Sequence, residues 1–360
     1  SDPRRIGKRD PLPPSPYHSK LALMSAMRLA QLLALLPFMR ALSRQALQES
    51  LSYVQNGNSS EVIDVVDSEP DGGCPQMFVA VFTRRVSLEQ RNLIRHMWNN
   101  AGEGWGNVTA KFMICRNVRN EKAYVRAMIQ REATTFGDIA FLPCHEGYSE
   151  GALTLKVIVA MHLYLEEYAG YPLFMKVDDD TFVSMRRMCY MLNSRRDSGL
   201  PIAGTYMGVF AEEKAGEQML RGNAVVRDSS SPWFESYDHF EPERYPVSAK
   251  GGPGYILPRQ AVRLIIKKGI ANKNVLNNED KAVGVWVEQL TQYNVSLQRV
   301  NILGTDGYGD HQGWYPTKGK YKDYPLIVHH HLPGQTIACL HQIDRSHAAE
   351  ELIDSCFEQT

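Results

Sequence analysis

Residues 173–183 read Leu-Phe-Met-Lys-Val-Asp-Asp-Asp-Thr-Phe-Val, and three consecutive carboxylates between two apolar runs constrain this chain more than any other stretch. A solvated acidic loop is usually diluted with Gly, Ser or Lys. Here Leu173–Val177 has the length and composition of a buried strand, so Asp178, Asp179 and Asp180 stand where that strand ends. Adjacent carboxylates repel one another, and a bound cation favours their ionised forms. Hard oxygen ligands suit Mn²⁺ or Mg²⁺, ions that typically bridge a few protein carboxylates to substrate phosphates. The triplet alone does not separate a nucleotide-sugar transferase from a phosphohydrolase or a calcium site.

The neighbouring segments supply a frame. Met77–Thr83, Lys111–Cys115 and Ile139–Leu142 are further short apolar runs expected as strands. Ser87–Trp98 carries apolar residues at helical spacing, and Thr154–Tyr168 reads as a long helix. Alternating strands and helices predict an α/β domain with a mostly parallel sheet covered on both faces. Ligands of such sheets sit at the carboxyl ends of the strands, where the triplet falls.

Composition excludes other classes. Forty Lys plus Arg balance forty Asp plus Glu, so no basic surface speaks for nucleic acid. With 43% hydrophobic residues in 360, the chain can bury a sizeable core. Six dispersed cysteines contain no C-x-x-C pair, and they permit up to three disulfides without choosing a pairing. Sequons at Asn58, Asn107 and Asn294, taken with the cysteines, lean toward a secretory compartment. Segment 1–54 is basic and proline-rich, then apolar from Leu21 to Phe38 with Arg28 inside. It reads as either an amphipathic stem helix or a signal anchor. Residues 55–75 read as a linker, and the folded domain is expected over 76–360.

Several motifs then resemble the inverting β-1,3-glycosyltransferases of glycosyltransferase family 31, in the family's order from Met77 to Gln342. Arg91–Trp98 is similar to R-x-x-I-R-x-T-W, Phe136–Ile139 to Y-G-D-I, and Tyr148 with Leu153–Lys156 to Y-x-N-L-T-x-K. The triplet stands where D-x-D belongs. Gly251–Leu257 is similar to G-G-x-G-Y-V-L, and Glu279-Asp280 with Gly284 to E-D-V-x-x-G. Met97 and Lys281 depart from the pattern, as does Glu150-Gly151-Ala152, which suggests a divergent branch such as the protozoan phosphoglycan side-chain transferases.

The resemblance implies a Rossmann-like GT-A fold and transfer of a sugar, galactose from UDP-galactose first, in β-linkage to a glycan acceptor. UDP-N-acetylglucosamine, a GDP-linked pentose such as arabinopyranose, and a non-catalytic chaperone role are the alternatives. Asp178 and Asp180 would bind Mn²⁺ (or Mg²⁺), with Asp179 supporting the ribose or the loop. A histidine near the C-terminal end completes the family's metal set. Strand alternation over His329–His331 sends His329 and His331 to one side and His330 to the other, and His330 is the one the motif order selects. Asp280 would be the general base. Thr83, Arg91, Arg95, Asp138 and Lys156 are expected around the donor nucleotide. Gly252, Gly254 and Glu279 are expected at the sugar. A neighbouring Lys281 is placed to keep Asp280 ionised or to bind an anionic acceptor. Trp98 and Tyr255 are expected to pack. The family's setting is the Golgi or secretory lumen, with a membrane anchor at the N-terminal end of the full-length protein.

Overall fold

Residues 77–82 alternate cleanly between the two cores of the fold. This strand, β1 (Met77–Phe82), places Phe78, Ala80 and Phe82 in one apolar cluster and Met77, Val79 and Val81 in the other. Both faces are covered, so the strand has no polar alternation. The structure, a computed structural model, describes residues 74–98, 107–117, 121–148, 150–210, 223–302, 304–305, 327–346 and 355–356. Segment 1–54 with its apolar stretch, nearly all of the 55–75 linker and the sequon at Asn58 lie outside them. No helix among the described residues is long and apolar enough to cross a membrane.

After β1 come α1 (Leu88–Trp98), β2 (Val108–Asn117), α2 (Ala123–Phe136), β3 (Ile139–His145), α3 (Ala152–Glu167) and β4 (Leu173–Asp178). These four strands pair in parallel in the order β3-β2-β1-β4, as the alternating pattern predicts. The expected strands are all present, with β2 and β3 longer than their apolar centres. Successive strands leave β1 on opposite sides, β2 on one and β4 on the other, so the carboxyl ends of β1 and β4 flank the crevice where such sheets bind ligands.

The remaining strands are short. Next along the chain are β5 (Phe182–Val183), α4 (Met185–Asp197), β6 (Thr205–Gly208), β7 (Tyr255–Pro258), α5 (Arg259–Lys267) and α6 (Ile270–Lys273). Then follow α7 (Glu279–Gln289), β8 (Gln298–Asn301), β9 (Gly304–Thr305), β10 (Val328–His329) and α8 (Gly334–Ser346). β7 joins β4 antiparallel and continues the main sheet through β6 to β8. A second sheet, β5-β10-β9, brings the C-terminal histidines beside the triplet.

α3 packs Val157, Met161 and Tyr164 on one face of the main sheet together with Trp286 of α7. The other face meets Ile94 and Met97 of α1, Met188 and Leu192 of α4, and Ile337 and Leu340 of α8. Each such side chain contributes roughly 1.5–3 kcal/mol on burial. All six cysteines are paired, as Cys74–Cys189, Cys115–Cys144 and Cys339–Cys356. Asn294 is exposed, whereas the Asn107 amide donates to the Cys74 carbonyl at 2.9 Å.

Candidate active site

The register of β1 against β4 pairs Phe82 with Asp178, so the residues just beyond them meet. Thr83 Oγ1 donates to Asp179 Oδ2 at 2.5 Å, and the Asp179 amide donates to the Phe82 carbonyl. Burial pushes the Asp179 carboxyl up from its ordinary value, and the charges of Asp180 and Asp178 push the same way. Asp179 therefore closes the loop, while Asp178 and Asp180 point to other partners.

Pairing of β10 with β5 sets the histidines. His329 lies opposite Phe182, and the Leu332 amide donates to the Asp180 carbonyl. His330 Nε2 stands 3.1 Å from Asp180 Oδ1 and 3.8 Å from Asp178 Oδ2; His331 Nδ1 stands 3.5 Å from Asp180 Oδ2. Strand alternation fails at this point. His331 has φ of 60°, which turns its ring back onto the His330 side, with the two centroids 3.6 Å apart. His329 is the residue turned away, buried with Nδ1 beside the His330 carbonyl. Asp180, His330 and His331 each offer a ligand atom within 4.8 Å of the others. Two imidazoles with one or two carboxylates suit Mn²⁺ better than Mg²⁺, which prefers oxygen alone. Burial raises the Asp180 carboxyl, but the His330 hydrogen bond and the two histidine charges outweigh it and hold it below its ordinary value.

The glycine loop supplies the floor. Gly254 has φ of 97°, and a Cβ there would come within 2.5 Å of the Lys176 carbonyl. A Cβ on Gly252 would overlap the His330 ring. The Gly252 carbonyl accepts from the Asp178 amide and from Thr181 Oγ1, tying loop and triplet together.

Lys176 is the one polar residue of β4 before its terminal Asp178, and it is fully buried. Its ammonium lies 2.9 Å from Asp178 Oδ1, 3.0 Å from the Gly251 carbonyl and 3.4 Å from Glu279 Oε2. Desolvation lowers its pKa, yet Asp178 and Glu279 more than compensate and leave it raised. Glu279 also accepts from the Tyr255 hydroxyl at 3.0 Å. Burial pushes the Glu279 carboxyl up to about 7 against the opposing pull of Lys176. Tyr255 packs in the core as expected, and its hydroxyl fixes Glu279. Lys176 was readable in the sequence as a lone cation within an apolar strand, a position that only a buried partner justifies.

Asp280 sits one residue on, in the first turn of α7. Its Oδ1 is buried with no hydrogen-bond partner among the described residues, and Oδ2 is 3.7 Å from Lys281 Nζ. Lys281 also donates to Ser248 Oγ at 3.0 Å. A buried acceptor oxygen without a partner that lines a cavity can accept from a donor bound there.

These residues share a cavity of about 780 Å³. Thr83, Lys156, Asp178, Asp179, Asp180, Gly252, Glu279, Asp280, His330 and His331 all line it, as do Glu146, Tyr148 and Trp233. Lys156 reaches the Thr83 carbonyl at 3.2 Å and Glu146 at 3.1 Å; burial lowers its pKa, with Glu146 opposing.

Arg91 and Arg95, expected at the nucleotide, do not line this cavity. Arg91 is fully buried and holds the loop after β1 through the Arg84 and Arg85 carbonyls and Thr83 Oγ1, with a bidentate pair to Glu132. It supports the cavity from behind. Arg95 pairs with Asp138 and Glu132 and stacks on Phe136. Arg95 and Asp138 line a separate small cleft with Trp98, away from the triplet. Their motifs bind α1 to α2 because each arginine finds its carboxylate inside the fold. Gly254 sits against the backbone of Lys176 and does not line the large cavity.

The chain is similar to known proteins over the segment that carries this cavity. The chain is 28% identical over 234 residues to hydroxyproline O-galactosyltransferase GALT2 of Arabidopsis thaliana, covering 64% of this chain and 31% of that protein. It is 24% identical over 268 residues to the β-1,3-galactosyltransferase GALT1 of the same plant, covering 73% and 36%. Against human β-1,3-galactosyltransferase 2 it is 25% identical over 217 residues, covering 60% and 48%. The chain thus spans about a third to a half of the length of these relatives. A family model described as galactosyltransferase matches residues 89–298. That segment runs from α1 to the start of β8 and encloses the triplet, the glycine loop and the Glu279-Asp280 pair, so the chain belongs to the galactosyltransferase family.

Proposed function

We propose that the chain is a metal-dependent inverting glycosyltransferase that moves galactose from UDP-galactose to a glycan hydroxyl in β-linkage, β-1,3 in the first instance. The observation that carries this reading is the pairing, in one cavity, of a cation-ligand set at Asp180, His330 and His331 with an uncommitted carboxylate at Asp280. Asp178, Asp180, His330 and His331 would hold Mn²⁺. The chemistry supplied there by the bound ion is neutralisation of charge on the departing nucleoside diphosphate.

The chain's own groups do the rest. Asp280 Oδ1 accepts the proton of the acceptor hydroxyl as its oxygen attacks C1 of the donor sugar. The new bond joins the acceptor oxygen to C1. The bond from C1 to the phosphate oxygen breaks, and its electrons leave with the diphosphate. Attack opposite the leaving group inverts the anomeric centre. Lys176 holds Asp178 and Glu279 in place without touching the reacting atoms, and Thr83 fixes Asp179. The paired cysteines suit an oxidising compartment, which supports the secretory lumen as the site of action.

Purified protein mixed with UDP-galactose, UDP-N-acetylglucosamine or a GDP-pentose, with Mn²⁺ or with chelator, tests the reading. UDP-galactose should be consumed with Mn²⁺ only, and proton NMR should report a β-anomeric product. Asp280→Asn should lower turnover by about 10²–10⁴-fold with nucleotide binding retained. Consumption of the GDP-sugar instead would overturn the donor and keep the chemistry; equal turnover in chelator would sink the metal-dependent mechanism.

A further inference from the structure

Residues 274–278 join α6 to the helix that carries Asp280, and they belong to no helix or strand themselves. Their place is set from outside. Asn277 Oδ1 accepts from the Gly151 amide at 2.8 Å, its Nδ2 donates to the Phe234 carbonyl at 2.5 Å, and its amide donates to Glu235 Oε1 at 2.5 Å. One residue earlier, the Leu276 carbonyl accepts from Thr154 Oγ1 at 2.6 Å. Gly151 is the N-cap of α3 at φ of 66°, and a Cβ there would come within 2.7 Å of Val275. The departure at Glu150-Gly151-Ala152 is thus the point where this strap lands on α3.

Glu235 braces the other side. It belongs to the long connection between β6 and β7, which forms only isolated bridges among the described residues. Arg227 stiffens that connection by donating to the Glu235 carbonyl at 2.7 Å, the Phe240 carbonyl at 2.8 Å and the Pro242 carbonyl at 2.9 Å. The Glu235 carboxylate is fully buried, and its Oε2 lies 2.6 Å from His239 Nδ1. An amide that donates to a carboxylate makes a bond about twice as strong as a neutral one. Glu235 is therefore a fixed post for the Asn277 backbone.

The start of α7 depends on this grip. Asn278 occupies the N-cap, where a side chain ordinarily bonds the first turn, and it makes no cap bond. Glu279 is pinned from the sheet side by Lys176 and Tyr255. Asn277 and Glu279 thus anchor the chain on either side of Asn278, and the next residue is Asp280. With only the Glu279 anchor left, the turn is free to pivot. Asn277 itself does not line the cavity.

We infer that Asn277, braced by Glu235 and Gly151, is a positioning residue for the transfer reaction: it aims the Asp280 carboxylate through the backbone and touches no substrate. This rests on the reading of Asp280 as the base.

Initial rates with UDP-galactose and Mn²⁺, using methyl glycosides of galactose and N-acetylglucosamine as acceptors, test it. A displacement of about 1 Å at a reacting group costs on the order of 10²-fold in rate. Asn277→Ala should lower kcat by about that factor and leave the donor KM and the Mn²⁺ affinity as they are. In the Asp280→Asn background the same change should lower kcat by less than about twofold, since a residue that acts only through Asp280 then has nothing to position. Glu235→Gln keeps an oxygen for the Asn277 amide and should recover most of the turnover that Glu235→Ala loses. Thr154→Val removes only the bond to the Leu276 carbonyl and should give a smaller loss with the same dependence on Asp280, so the test stands even if Asn277→Ala does not fold. Losses that multiply with that of Asp280→Asn, or a donor KM that rises as kcat falls, would reveal a merely structural part and overturn the inference. Full turnover in both Asn277→Ala and Thr154→Val would do the same. Wild-type turnover in Asp280→Asn would instead bring down the base assignment, and this inference with it.

Discussion

Gly252 carries no side chain because the His330 imidazole occupies the space that a Cβ would take. The loop could yield only by moving its carbonyl, which is bound to the Asp178 amide and to Thr181. Gly252→Ala should therefore displace His330 from Asp180 and loosen the ligand set while the hydrophobic cores stay intact. Changes that misorient a metal ligand typically weaken binding by about 10–100-fold. Mn²⁺ titration calorimetry on Gly252→Ala should show a loss of that size, and unchanged affinity would mean that His330 does not ligate. At this scale the sequence picked out contiguous residues that the fold brings to one cavity, the Asp178–Asp180 triplet from its own pattern and Glu279-Asp280 through the motif resemblance. His331 was not among them, since a periodic reading assumes extended backbone and His331 departs from it at positive φ. Trp233 was hidden for another reason, as the stretch around it forms no strand or helix and offers no period to read.

Among the elements, α1 and α2 are joined by charge as much as by apolar contact. Arg91 and Arg95 of α1 both grip Glu132 of α2, at 2.6 and 2.8 Å. The motif around these arginines was visible in the sequence, but its partner was not, because Glu132 lies outside the motif and only the packing of α2 brings it there. Burial raises the Glu132 carboxyl, and the hydrogen bonds and charges of the two arginines outweigh it, so its folded pKa lies below the ordinary value near 4.5. A depressed carboxylate stabilises the fold above its unfolded pKa and loses that contribution as pH falls through the folded value. Glu132→Gln should destabilise the protein at pH 7 by about 3–5 kcal/mol, since it leaves buried Arg91 without its carboxylate. The gap between variant and wild type should narrow as pH drops below about 4.5. Urea unfolding at pH 7 and in acid measures both; a gap independent of pH would show that shape, not charge, joins the helices. The core strands β1 to β4 were legible by their length and apolar character. β5, β9 and β10 have two residues each, too short for any periodicity, although they carry the histidines to the site.

Across the whole molecule, three disulfides hold together parts that the sheet alone does not connect. Cys74–Cys189 ties the residues before β1 to α4, Cys115–Cys144 joins β2 to β3 at the cavity end of the sheet, and Cys339–Cys356 fastens the chain beyond α8. Their existence was suggested by an even count, but the pairing depends on which strand ends meet, which spacing does not reveal. The sequence separations are 115, 29 and 17 residues. If each bridge acts by restricting the unfolded chain, these loops correspond to about 5, 4 and 3 kcal/mol. Together that is on the order of the whole stability of an ordinary domain, about 5–15 kcal/mol, so complete reduction should unfold the protein at 37 °C. Replacing each pair by alanines should rank the losses in the same order, with the Cys74/Cys189 variant least stable to urea. A reversed ranking would show that packing of the sulfurs in the folded state, not chain entropy, is what the bridges contribute. The middle bridge carries a second consequence, because the Cys115 amide donates to Glu146 and Glu146 holds Lys156 at the cavity wall. Its removal should lower transfer rate beyond what its stability loss explains, when measured at a temperature where all three variants are folded.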